Sequence, residues 1–163
     1  MIKWINNRYS IHIDLDDIRN LTQFTMMWNI FEKDVCDCSA SFKSIQAALD
    51  KIKLDESDII CEFNFFLDRY ITDGITNEYF KKLNFRKSED KFKIRVKSIL
   101  EENNSTLKDK LLACTFIILR LRNNLFHGIK EMTGIVDQDK TFYFANQILK
   151  KIIDKFEVRV GCS

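Results

Sequence analysis

Residues 120–128 read RLRNNLFHG, with two guanidinium groups, two amides and one imidazole in nine positions. Arginine grips phosphate oxygens with a planar fork and keeps its charge at any working pH. Histidine exchanges a proton near neutral pH. A fixed cation beside a titrating ring suits phosphate chemistry, in which charge builds on oxygen while a proton moves.

The chain before this stretch is LLACTFIIL, apolar on nearly every side. Thr106 and Asp109 form a T-x-x-D start, and Gly128 supplies a left-handed stop, so one long helix is expected to carry the motif. At about 100° per residue, Asn123 sits one turn before His127 and Arg120 nearly two turns before it. Arg122 points roughly 140° away, but its long side chain can swing back where the helix ends. A helix greasy all round belongs in the middle of a core, and an unpartnered buried charge costs several kcal/mol. The polar end must therefore open into a cleft, meet a partner or be neutralised internally. In the plainest reading His127 favours the helix dipole, Gly128 caps the end and the arginines pair with carboxylates.

The segment R-N-N-L-F-H-G, Arg122–Gly128, resembles the signature of the HEPN superfamily: an arginine, often followed by a polar residue, then a histidine four to six positions on. The resemblance covers residues 120–128. It implies an all-α, single-domain helical bundle, commonly homodimeric, with motifs from two protomers meeting in one cleft. Many such domains are metal-independent endoribonucleases in toxin–antitoxin and other defence systems. Carried over, Arg122 and His127 are the catalytic pair and Asn123 the polar neighbour. Arg120 and Asn124 are candidate RNA contacts, and either arginine suits the catalytic role. The expected function is RNA cleavage by 2′-OH attack, with no metal and no cofactor, and with a cognate antitoxin protein as partner. The alternative is a non-catalytic HEPN-like dimer that binds RNA, nucleotide or protein, since the superfamily includes inactive members.

Composition agrees with a helical domain. The chain of 163 residues has no proline and four glycines, which removes the usual obstacles to long helices. A net charge of +2 implies no strong overall pull on nucleic acid or membrane, though a local basic patch remains open. Five cysteines without a CxxC pair read as reduced thiols in a cytoplasmic protein. No apolar run approaches the ~18 residues of a membrane span, and no signal peptide is expected.

The periodicity predicts a bundle of about six to seven helices in one domain, 1–163, after a strand or extended arm over residues 1–13. Asp14 or Asp16 is expected to cap the first helix, Ser39 or Ser41 the second, Thr76 a short one after Asp73-Gly74, and Asp139 the last. Ser88 opens a further helix. In WNIFEKD, Glu32 is either an exposed carboxylate or a group that pairs with an arginine or helps position His127. Asp68 and Arg69 are candidates for an internal ion pair. FRKSEDKFKIRVKS, residues 85–98, interleaves cations with Phe85 and Phe92 and could guide an RNA backbone. Glu89 and Asp90 interrupt it, however, and alternating charge usually marks a solvated face.

Overall fold

The computed structural model describes residues 1–102, 104–126 and 138–156. It is an all-α bundle with a single two-stranded hairpin among the described residues. Eight α-helices are described: α1 (Ile2–Tyr9), α2 (Arg19–Asp34), α3 (Phe42–Leu49), α4 (Glu56–Tyr70), α5 (Glu78–Lys81), α6 (Asp90–Glu101), α7 (Leu107–Phe126) and α8 (Asp139–Lys155). None of them is long and apolar enough to cross a membrane.

Helix α7 is the hub. Every residue from Leu111 to Leu121 is buried, and α3, α4, α6 and α8 all pack on it. That is the placement an all-round apolar helix requires. The two polar groups inside that run are satisfied: Thr115 donates its hydroxyl to the Leu111 carbonyl at 2.7 Å, and Arg120 is treated below. Thr106 starts the helix as its spacing predicts, accepting from the Asp109 amide at 3.2 Å. Helix α2 lies mainly against α8, where Phe24 meets Phe142 at 5.1 Å between ring centroids. On the opposite side Phe42 of α3 stacks on Phe92 at 4.3 Å and meets Phe116 of α7 edge-on at 4.8 Å.

Several local expectations change. Residues 2–9 are helical, with no buried side chain, instead of forming a strand or extended arm. The alternation of Tyr9, Ile11 and Ile13 is too short to set a strand. The helix stops at Ser10, whose φ is +52°, and the Asn6 amide clamps both backbone groups of Ile13 at 2.8 and 3.0 Å. Asp14 organises the turn before α2, accepting from the Asp16 and Asp17 amides, but the helix begins only at Arg19 without a side-chain cap.

Asp73 and Gly74, at φ +52° and +77°, make a two-residue turn between β1 (Ile71–Thr72) and β2 (Ile75–Thr76). Both central residues in the left-handed region give the twist a tight hairpin needs. Asn77, not Thr76, caps α5, its Oδ1 accepting from the Tyr79 and Phe80 amides at 2.9 and 3.3 Å. Thr76 is instead paired with Ile71 in the hairpin and donates its amide to Glu101 at 2.8 Å. Residues Lys87–Glu89 form a 3-10 turn, so α6 starts at Asp90 and not directly from Ser88. Asp139 does open α8, but Gln138 holds the cap position and the Asp139 carboxylate accepts from Asn20 at 2.9 Å. Ser41 caps α3 as expected, in a reciprocal pair with Ser44.

Candidate functional site

The motif divides across two sides of α7. Arg120 and Arg122 stand two residues apart, about 200° around the helix. Arg120 is 2% exposed and faces α5 and the segment after it. Its Nε donates to the Leu83 carbonyl at 3.1 Å, and its Nη2 donates to the Asn84 carbonyl at 2.6 Å and to Asn124 Oδ1 at 3.2 Å. Its Nη1 lies 3.0 Å from one Glu89 oxygen and 3.2 Å from the other. Asn124, also buried, donates to the Lys82 and Leu83 carbonyls at 3.2 and 3.0 Å.

Arg120 and Asn124 thus saturate the carbonyl end of α5, whose exit turn uses Asn84 at φ +53°. Burial pulls the Arg120 pKa below its ordinary value and Arg86 pushes the same way, while the Glu89 carboxylate opposes both. A guanidinium stays charged through such a shift. Both residues, singled out as candidate RNA contacts, are engaged by the chain itself.

Arg122 has a different setting. Its side chain is 31% exposed, its Nη2 lies 3.7 Å from Glu32 Oε2, and its guanidinium carbon is 5.7 Å from the centre of the Trp28 ring. Nη1 donates to Asn123 Oδ1 at 3.2 Å. Glu32 is itself held by the Trp28 indole N–H at 3.2 Å and by the Ala40 amide at 3.2 Å. Glu32 is therefore a fixed carboxylate, and at 3.7 Å its contact with Arg122 is an ion pair without a good hydrogen bond. Glu32 thus pairs with Arg122, its side chain 28% exposed.

Trp28 has no place in the motif by sequence, where it reads only as part of an apolar stripe. It is one turn before Glu32 on α2, a spacing that places both side chains on one face. Glu89 likewise reads as an interruption of a basic run, yet it is the half-buried partner of Arg120. His127 and Gly128 lie outside the described residues.

The other singled-out groups separate. Asp68 is exposed, whereas Arg69 lies over the Tyr79 ring at 4.9 Å. Phe85 and Phe92 are half-buried against Phe42. Cys36 and Cys114 are buried free thiols, Cys38 and Cys61 exposed ones, and Cys162 lies outside the described residues. Among the described residues no cluster of His, Cys, Asp and Glu side chains could hold a metal ion. Comparisons with protein-family models, curated proteins and solved structures find no match.

Proposed function

We propose that the chain is a HEPN-like, metal-independent endoribonuclease, working as a homodimeric toxin or defence effector. The reading rests on the Arg-Asn-x3-His order of residues 122–127. One structural observation supports it: Arg122 is half-exposed beside Asn123, while Arg120 is locked inside the bundle. Arg122 is thereby preferred over Arg120 as the arginine that meets substrate.

In the proposed reaction the RNA 2′-oxygen forms a bond to the adjacent phosphorus and the bond from phosphorus to the 5′-oxygen breaks. His127 takes the 2′-hydroxyl proton or delivers one to the leaving 5′-oxygen. Arg122 stabilises the extra negative charge on the phosphorane, and Asn123 orients the phosphate with its amide hydrogens. The products are a 2′,3′-cyclic phosphate and a 5′-hydroxyl. A phosphate reaching Arg122 competes with its 3.7 Å approach to Glu32. Trp28 and the Ala40 amide keep Glu32 from following the guanidinium.

The test incubates the parent chain and its His127→Ala variant with end-labelled RNA and DNA in EDTA, then reads the product ends. Cleavage of RNA alone, by the parent alone, leaving cyclic phosphate, is the expected result. Full cleavage by His127→Ala sinks the mechanism. No cleavage by either protein moves the chain to the class of binding modules.

A further inference from the structure

The segment from Lys81 to Lys97 carries eight Lys and Arg residues against two acids, Glu89 and Asp90. Its net charge of +6, against +2 for the whole chain, leaves the remaining residues at a net −4. Read along the sequence, the two acids dilute the run. In the fold, Glu89 turns inward to Arg120 and its side chain is only 14% exposed, so it is withdrawn from the surface charge pattern. Three cations are engaged elsewhere, Lys81 by Glu78, Arg95 by Asp109 at 3.6 Å and Lys97 by Glu101 at 3.8 Å. Lys82, Lys87, Lys91 and Lys93 are exposed and belong to none of these pairs.

A second feature points the same way. Tyr79 is 52% exposed, and two cations lie on its ring: Arg69 at 4.9 Å and Lys82 at 5.4 Å from the centroid. Ring contact favours each cation, but holding two like charges on one ring costs repulsion that a bound anion would relieve. The backbone beneath is stiff, because Arg120 and Asn124 tie the Lys82, Leu83 and Asn84 carbonyls to α7. The basic face is thus anchored to the helix that carries Arg122, on its opposite flank.

We infer that the exposed lysines from the end of α5 to the start of α6, Lys82 on the Tyr79 ring and then Lys87 and Lys91 along the chain, form a track for the phosphate backbone of a single-stranded RNA. This deepens the ribonuclease reading and rests on it for the choice of RNA as the polyanion. The lysines supply point charges without base readout, so the track is tolerant of sequence.

The experiment measures binding of a fluorescent single-stranded RNA of roughly 16 nucleotides by fluorescence anisotropy across a salt series. All proteins carry His127→Ala to suppress cleavage. The triple variant Lys82→Gln, Lys87→Gln, Lys91→Gln is compared with Lys51→Gln, Lys53→Gln, Lys150→Gln, which changes net charge equally, and thermal melting verifies that both remain folded. Each lost phosphate contact should lower the log–log salt slope by about 0.7, so the first triple should lose about 2 in slope and about tenfold or more in affinity at low salt. The second should match the His127→Ala parent.

Equal affinity and slope in the two triples overturns the track. So does a His127→Ala parent that binds no RNA, and capture of poly-glutamate in its place would give the face to an acidic polypeptide. The two readings fail separately: cleavage by the parent with unchanged binding by the first triple removes only the track, whereas track-dependent binding without cleavage removes only the ribonuclease.

Discussion

Replacing Arg120 with alanine isolates the internal network, because the residue is two positions from Arg122 but serves the opposite side of α7. Four groups lose a donor together: the Leu83 and Asn84 carbonyls, Asn124 Oδ1 and the Glu89 carboxylate. The Leu83 carbonyl keeps its bond from Asn124, but Glu89 is left as a largely buried charge without its partner. Removing one member of a buried pair costs about 3–5 kcal/mol, a large part of the roughly 5–15 kcal/mol that holds a domain together. At about 2–4 °C per kcal/mol for a domain of this size, the melting temperature should fall by roughly 10 °C.

Urea unfolding of the parent, Arg120→Ala and Arg122→Ala, followed by circular dichroism, measures the difference. The half-exposed Arg122 pair should be worth about 1 kcal/mol or less. Adding Glu89→Gln to Arg120→Ala should recover part of the loss, because the stranded charge is then neutral. If Arg120→Ala lies within about 1 kcal/mol of the parent, or Arg122→Ala is the more damaging, the assignment of one arginine to structure and the other to the site is wrong.

Three further outcomes follow from the fold. Burial raises the Tyr70 hydroxyl to about 12, with the neighbouring Arg69 opposing the shift. Since the neutral phenol is favoured in the folded state, its contribution is complete below the unfolded value near 10 and is lost as pH rises from there towards 12. Absorbance titration should show Tyr70→Phe removing a phenol that ionises near pH 12 and flattening that alkaline loss of stability. In a Cys162→Ser background, Cys38 and Cys61 should react with a thiol reagent at once. Cys36, pushed up to about 12 mainly by burial, and Cys114, raised further by the same cause, should react only on unfolding. Gly74→Ala meets no atom within 4 Å, so its cost is purely that of a left-handed backbone, about 1 kcal/mol by chemical denaturation. A neutral result would show that the hairpin turn carries no conformational constraint.

The fold class is legible because it depends on repeating local patterns. Helical periodicity, the absence of proline and the side-chain caps at Ser41 and Thr106 all act within a few residues. The same local logic misjudges places where a remote group competes. Thr76 is held in the hairpin, paired with Ile71 and donating its amide to Glu101 on α6, and Asn77 takes the cap position of α5. The helix over Ile2–Tyr9 contributes no buried residue to the core, and the alternation of Tyr9, Ile11 and Ile13 at its end competes with its own helical spacing.

The motif shows the same boundary at finer scale. Residue types and spacing alone determined that cations and amides crowd the end of a buried apolar helix, and that such charge needs partners or a cleft. Only the tertiary structure decided how the two arginines divide. Arg120 and Asn124 fall under the exposed carbonyl end of α5 and meet Glu89 there, whereas Arg122 turns towards Trp28 and Glu32 on α2. Helical periodicity puts the two arginines on opposite flanks, but it carries no information about which flank another element will cover. That depends on packing between segments more than thirty residues apart, through burial and hydrogen-bond satisfaction that no local pattern encodes.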